Sequence, residues 1–340
     1  MEDCLVHLRN QDCYERLTEE EALAAVASLD DKIHTWLEKY KANIGRMASE
    51  FITRHMKDVG ESPFGQFYIL YKIHKEKVNG RWQTRPVCSD VSSLPHALGK
   101  WITEKLVPIQ RIQQSYFKDS FALKTLLDSL KLQPNELLFT SDASSVYTNI
   151  QTGPALENIS AYLRKHYADG KVEPLIEALH LVFENNYFKL GDTFWKQKSG
   201  TAMGTPPAPP WATIFYALHE NKMLPRWAEN VSFYKRFIND VIGVWRVDPC
   251  PERNELLWSE FKADMNSWFG SEWTCTMPSR SFNFMDLTIS IVDGRLNTII
   301  YKKYQNLYLY IPPSSSHPKG VLTGLIFGQV LWIRRLCSER

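Results

Sequence analysis

Two aspartates lie where apolar segments end or turn, and acids in such positions can do chemistry. Asp142 ends the run LLFTSD, and Asp240 lies at the tip of the apolar hairpin FYKRFINDVIGVWR. A carboxylate beside a buried strand costs free energy unless it is hydrated, paired or bound to a metal. If the two strands are neighbours, both carboxylates can bind two Mg²⁺ ions about 3.5–4 Å apart, the geometry of phosphoryl and nucleotidyl transfer. The alternative is two aspartates that cap turns.

The elements that must position these acids are predicted from the spacing of apolar residues. Apolar runs predict a buried strand ending at Asp142, two strands joined at Asn239-Asp240, and further strands at 282–291 and 297–304. Helical spacing predicts helices at 16–58, 94–112, 120–131, 154–166 and 172–186, and from about 209 onward. Thr18, followed by three glutamates, is typical of an N-cap. Helices on one face of a largely antiparallel sheet predict an α+β fold.

Two hairpins are predicted outside this sheet. Residues 67–75 and 81–89 are rich in β-formers and flank Asn79-Gly80, which is a strong hairpin signal. A second candidate spans 187–197 around Gly191-Asp192. The first hairpin carries one acid, Glu76, against a group of basic residues: Lys72, Lys75, Lys77, Arg81 and Arg85. It is either an edge hairpin that charge keeps soluble or a finger that binds phosphate.

Composition limits the classes of protein to consider. The 340 residues allow about two folded units, or one large unit with lobes. The 40 basic and 38 acidic residues nearly balance, so a nucleic-acid surface would be a local patch. The six cysteines form no CxxC pair, so zinc is not indicated, and reduced thiols suit a cytosolic or nuclear protein. The apolar stretch 321–333 is too short to span a bilayer, so no membrane partner is expected.

Six motifs in a fixed order resemble the reverse transcriptase domain of Penelope-like retroelements, relatives of telomerase reverse transcriptase. They are FYILYKIHK with RWQTRPVCS, SDASSVYTNI, SGTAMGTPPAPPWATIF, FYKRFINDVIGVW, FNFMDLTISI, and SSSHPKG with RRLCS. The resemblance implies a right-hand polymerase with an antiparallel palm sheet backed by helices. It places the N-terminal helical part of the fingers at 1–66, the fingers with the basic hairpin at 67–135, the palm at 136–312 with inserted helices at 154–186, and the start of a truncated thumb at 313–340. It also implies a nuclear location, with a cytoplasmic one left open.

The resemblance assigns the acids to two-metal catalysis with Mg²⁺ or Mn²⁺. Asp142 and the backbone carbonyl of Ala143 would bind metal, and Asp240 would be the second acid of the hairpin pair. The expected reaction is RNA-directed DNA synthesis, with an RNA template, a DNA primer and dNTPs as partners. The oligomeric state is not indicated.

Other site residues are implied in the same way. Lys72 and Arg85 match residues that grip the incoming triphosphate, and Tyr147 matches the ring that excludes a ribose 2′-hydroxyl. Gly200, Met203 and Gly204 would lie under the nascent base pair. Contacts to the nucleic-acid backbone are expected from Lys75, His317, Lys319, Arg334 and Arg335. Each also has a plain structural alternative, such as a core tyrosine, turn glycines or a solvated helix end.

Asn239 is the largest departure from the family pattern, which has Asp-Asp where this chain has Asn-Asp. An amide oxygen can bind Mg²⁺ but brings no negative charge, and hard cations favour charged oxygens. The alternative function is therefore a truncated or catalytically impaired copy that acts at most as a nucleic-acid-binding module.

Overall fold

The computed structural model describes residues 2–59, 63–73, 76–91, 93–167, 172–302, 311–312, 314–318 and 320–338. The chain divides into two compact units, each built from three segments. Unit 1 comprises Met1–Gln113, Ser145–Asn221 and Asn266–Glu272, and unit 2 comprises Gln114–Ser144, Lys222–Met265 and Trp273–Arg340. The assignment of fingers, palm and thumb to ranges stays a prediction.

Unit 1 contains a five-stranded sheet with the strand order β1-β6-β5-β2-β3. Its strands are β1 (Tyr14–Leu17), β2 (Gly65–Tyr71), β3 (Thr84–Ser89), β5 (Asn186–Leu190) and β6 (Thr193–Gln197). Both predicted hairpins are confirmed as antiparallel pairs, β2 with β3 and β5 with β6. Asn79 and Gly80 both have positive φ, at 50° and 76°, as a two-residue turn of the mirror-image type requires.

The other regular elements of unit 1 are helices. They are α1 (Glu2–Leu8), α2 (Glu19–Ile44), α3 (Arg46–Asp58), α4 (His96–Arg111), α6 (Val146–Asn149), α7 (Thr152–His166), α8 (Glu173–Phe183) and α9 (Ala208–Met223). The single helix predicted over 16–58 is wrong, because Gly45, at φ 84°, separates α2 from α3 and residues 14–17 form β1. Thr18 caps α2 as predicted, and its side chain and that of Glu21 each bond the other's backbone N–H.

Among the described residues, unit 2 contains two sheets where the sequence predicts one. The first has the order β7-β8-β4-β9, and the second has the order β10-β11-β12. Their strands are β4 (Glu136–Ala143), β7 (Val231–Phe237), β8 (Asp240–Arg246), β9 (Trp273–Cys275), β10 (Ser281–Phe284), β11 (Leu287–Val292) and β12 (Arg295–Ile300). The helices of unit 2 are α5 (Ser120–Ser129), α10 (Pro251–Met265), α11 (Gly320–Leu336) and a short 3₁₀ helix, Leu224–Trp227.

Strands β4 and β8 are buried on both faces, which explains their nearly continuous apolar sequences. On one face Leu138, Ile242 and Val244 join a core with β11, β12 and α5. On the other face Phe139 contacts Trp258 and Phe261 of α10 edge-on, with ring centroids 5.3 and 5.6 Å away. Both strands therefore run through the core of unit 2.

No helix in the described ranges is both long and apolar enough to cross a membrane.

Candidate active site

The two predicted acids face each other in unit 2. Strands β4 and β8 are antiparallel neighbours, and their register pairs Asp142 with Asp240 directly. Directly paired residues of neighbouring strands project to the same face, with Cβ atoms about 4.5–5.5 Å apart. Asp142 is exposed and Asp240 is half-buried. The interpretation that both carboxylates reach one place therefore agrees with the backbone pairing.

The turn that joins β7 to β8 differs from the sequence prediction by one residue. Phe237 pairs with Asp240, so Ile238 and Asn239 form the turn and Asp240 is the first residue of β8. Asn-Asp suggested the turn because both residues favour turns. The structure instead places Ile238 at φ 54°, a conformation that a β-branched residue rarely adopts.

Asn239 binds the end of β4 through two hydrogen bonds. Its side-chain Nδ2 donates to Asp142 Oδ1 at 2.7 Å. Its backbone carbonyl accepts a bond from the Ala143 N–H at 2.9 Å. The amide of Asn239 therefore satisfies one oxygen of the carboxylate that the family pattern assigns to a metal.

The oxygens of Asp142 and Asp240 suit a divalent cation. With Asn239 beside them, the site carries one negative charge fewer than the Asp-Asp pattern of the resembled family would give it. Like charges directly opposite on neighbouring strands destabilise a sheet, so a cation near Asp142 and Asp240 would relieve their repulsion. Hard cations prefer such carboxylate oxygens. Within the part of the chain that the structure describes, no group of three or more His, Cys, Asp or Glu side chains is placed to hold a metal. Asn239 supplies an amide where a third carboxylate would complete such a group.

Several predicted nucleotide-binding residues lie together in unit 1. Burial raises the pKa of the Tyr147 hydroxyl, and the nearby positive charge of Arg85 opposes this rise. The Tyr147 carbonyl accepts a bond from the Thr201 N–H at 2.6 Å, and the Met203 carbonyl accepts one from the Cys88 N–H at 2.8 Å. The loop around residues 200–204 is thus fixed both to β3 and to the helix α6 that carries Tyr147.

Glycine is required at two positions in this loop. Gly204 has φ 125°, and a Cβ there would lie 2.6 Å from the Cys88 carbonyl oxygen. Gly200 has φ 86°, and a Cβ there would lie 2.9 Å from the Thr148 carbonyl oxygen. Both glycines permit a close approach of backbone to backbone. A contact of either glycine with a base pair stays a prediction.

Lys72 follows β2 and lies beside α1. Its backbone N–H donates to the Gln83 carbonyl at 2.8 Å. Burial lowers the pKa of His7, and the positive charge of Lys72 lowers it further. Lys75, predicted for the same hairpin, lies outside the described residues.

The predicted contacts at the C-terminal end lie in unit 2. His317 is exposed, and its Nδ1 is 2.5 Å from Ser315 Oγ. Arg334 and Arg335 are exposed in the last turn of α11. Lys319 lies outside the described residues. Exposure leaves these basic groups accessible to a nucleic-acid backbone, and their roles stay predictions.

One further residue close to the acids is not indicated by the motifs alone. Arg236 is 0% exposed, and its Nη1 donates to the Ile238 carbonyl at 3.0 Å. The alternation of β7 could have indicated it, because Arg236 shares a face with the buried Tyr234.

Comparison with solved structures identifies the fold. Apo telomerase from Candida tropicalis aligns with a TM-score of 0.50 at 13% identity, covering 73% of this chain and 51% of that chain. The fold is polymerase-like. The α+β polymerase fold predicted from the sequence is thereby confirmed. The chain spans about half the length of that telomerase.

Two further solved structures align with lower TM-scores. Telomerase from Candida albicans, in complex with a TWJ fragment of telomeric RNA, aligns at 11% identity with a TM-score of 0.46, covering 71% of this chain and 47% of that one. The BmCPV RNA-dependent RNA polymerase at elongation state aligns at 12% identity with a TM-score of 0.47. The alignment covers 96% of this chain and 29% of that chain. The sequence matches no protein-family model and no curated protein.

Proposed function

We propose that this chain is the core of an RNA-directed DNA polymerase, a reverse transcriptase of the Penelope-like type. The observation that supports this most is the direct pairing of Asp142 with Asp240 in a polymerase-like fold. The substrates would be dNTPs, and the partners would be an RNA template and a DNA primer. The ordered motifs support these finer assignments and a nuclear location.

In the proposed reaction, the primer 3′-hydroxyl attacks the α-phosphate of a dNTP and pyrophosphate leaves. Mg²⁺ or Mn²⁺, held by Asp142, Asp240 and the Ala143 carbonyl, would stabilise the charge that develops on the attacking and leaving oxygens. Asn239 orients the Asp142 carboxylate through its 2.7 Å bond. Lys72 and Arg85 would bind the triphosphate, Lys as a point charge and Arg through its planar fork.

The first test is primer extension on an oligo-dT/poly-rA template, with Mg²⁺ and Mn²⁺ in parallel. Extension by the native protein would support a working reverse transcriptase. The same primer on poly-dA measures whether an RNA template is preferred. Binding of the primer–template without extension would support the alternative function described below.

Tyr147→Ala is expected to raise the use of ribonucleotides relative to deoxynucleotides. Removing the ring would admit a 2′-hydroxyl, and a gain of about tenfold in the ratio of the two kcat/KM values corresponds to about 1.4 kcal/mol. The measurement is single-nucleotide extension with dTTP and with UTP. Tyr147→Phe keeps the ring and is the matched control, which should discriminate like the native protein. If Tyr147→Ala and Tyr147→Phe gave equal ratios of kcat/KM for UTP and dTTP, the ring of Tyr147 would not be the group that excludes the 2′-hydroxyl.

The alternative is an impaired copy that binds nucleic acid without extending it. One observation favours it: the Asn239 amide, which brings no charge, bonds the carboxylate assigned to the metal. This function predicts binding to a primer–template with a steep salt dependence and no nucleotide incorporation.

Arg334→Gln combined with Arg335→Gln is expected to weaken binding of a primer–template and to lower its salt dependence. If each arginine contacts one phosphate, the slope of log Kd against log salt should fall by about two. Fluorescence anisotropy over a salt series measures this slope. Arg253→Gln removes one exposed positive charge from α10 and is the control. An unchanged slope in the double variant would show that α11 does not contact the backbone.

A further inference from the structure

Arg236 is a fully buried arginine directly beneath the turn that carries Asn239. It lies in β7, where Tyr234 and Arg236 are buried and their neighbours are more exposed. Its Nη1 donates to the Ile238 carbonyl at 3.0 Å. Burying a guanidinium is costly, and such a group is retained where its planar donors fix particular acceptors.

The carbonyl that Arg236 binds belongs to the strained residue of the turn. Ile238 has φ 54°, a left-handed conformation that costs free energy for any residue with a Cβ and most for a β-branched one. Such a conformation persists only where the surroundings impose it. The hydrogen bond from Arg236 is one contact that these surroundings make with Ile238.

The backbone of Arg236 is itself held by a neighbouring segment. Its backbone N–H donates to the Ser115 carbonyl at 2.8 Å, and residues 116 and 236 form a parallel bridge. Ser115 is 1% exposed, so this anchor belongs to the interior of unit 2. The backbone of Arg236 is therefore held by the packed interior of unit 2.

This turn also positions the groups that are assigned to cation binding. Asn239, next to Ile238, bonds both Asp142 and Ala143, and Asp240 follows as the first residue of β8. A change in the backbone at Ile238 would rotate the peptide that leads to both residues. The order of contacts runs from Ser115 through Arg236 and Ile238 to Asn239.

We propose that Arg236 is a positioning residue for the cation site, which holds the Ile238 carbonyl so that Asn239 and Asp240 stay aligned with Asp142. This inference rests on the proposed function, because it assumes that the carboxylate pair binds a divalent cation. In this role Arg236 acts on the cation site through the turn.

The test is Mn²⁺ binding to the nucleic-acid-free protein, measured by the loss of the free-Mn²⁺ EPR signal. Arg236→Gln is expected to weaken Mn²⁺ binding at least about tenfold, as removal of a residue that orients metal ligands commonly does. Adding Ile238→Gly to this variant is expected to recover most of the lost affinity, since glycine adopts positive φ without the Cβ clash. A merely structural role for Arg236 would not give this rescue.

Control variants separate the outcomes. Arg246→Gln removes an arginine from the other end of β8, where it bonds Glu136 at 3.0 Å, and should leave Mn²⁺ affinity unchanged. Circular dichroism and thermal unfolding establish that each variant folds, and Arg236→Lys replaces Arg236→Gln if the latter does not. Failure of both to fold would make Arg236 a residue of the core and overturn the proposal.

Two possible results of the Mn²⁺ titration would overturn different claims. Native protein that binds Mn²⁺ with an affinity that Arg236→Gln does not change would overturn the role of Arg236 alone. Native protein that binds no Mn²⁺ would overturn the cation site, and with it both this inference and the proposed mechanism.

Discussion

Asn239→Asp is expected to raise the rate of primer extension by up to about a thousandfold, equivalent to about 4 kcal/mol of transition-state stabilisation. The substitution adds a third carboxylate at the place where hard cations need charge. It also removes the amide N–H that donates to Asp142 Oδ1 at 2.7 Å, which frees that oxygen for a cation. Single-turnover extension on oligo-dT/poly-rA, with the native protein beside the variant, measures the effect.

The same variant should show a second, independent change. Without divalent cations, a third carboxylate beside Asp142 and Asp240 adds repulsion, so the temperature of unfolding should fall. Mg²⁺ should raise that temperature more in the variant than in the native protein, because a ligand that binds only the folded state stabilises it. Asn297→Asp, on β12, makes the same change in charge away from the acids and is the control. Equal rates for Asn239→Asp and the native protein would show that residue 239 does not limit activity.

Asp142→Ala is expected to abolish primer extension, a loss of at least about a thousandfold, because one of the two paired carboxylates is removed. The fold should tolerate the change, since Asp142 is exposed and its carboxylate opposes that of Asp240 across the strand pair. The unfolding temperature without cations should therefore stay close to that of the native protein, because the relief of this repulsion offsets the loss of the hydrogen bond from Asn239.

Primer extension and thermal unfolding of Asp142→Ala together distinguish a loss of catalysis from a loss of folding. The matched control is Asp192→Ala, an exposed aspartate in the turn between β5 and β6. Residual extension by Asp142→Ala near the native rate would remove this carboxylate from the mechanism. Loss of extension with loss of folding would be an effect on stability, and Asp142→Asn would then take its place.

The strands that carry the acids could be predicted from the sequence because their physical causes are local. β4 and β8 are buried on both faces, so they read as apolar runs, and Asn79-Gly80 marks the hairpin of β2 and β3 through its need for positive φ. The direct pairing of Asp142 with Asp240 could not be predicted from periodicity, because register depends on the partner strand. The sequence indicates this pairing only on the condition that the two strands are neighbours.

The errors occur where tertiary contacts override local preference. A turn at Ile238 violates the rule that β-branched residues avoid positive φ, and the Ile238 carbonyl accepts a hydrogen bond from the buried Arg236. The sequence predicts one strand over 282–291, but Met285, at φ 51°, turns the chain between β10 and β11. The strand β9, with three residues, is too short to produce a periodic signal.

The division of the chain into interleaved segments has a consequence for how the protein folds and can be produced. Six segments alternate between the units, so the backbone passes from one unit to the other five times. No single cut releases either unit intact, and many native contacts join residues far apart in sequence. Such topology slows folding, since long loops must close before their contacts form. Expression of an isolated piece, such as residues 114–265, would leave both units incomplete. Study of the acids therefore requires the whole chain.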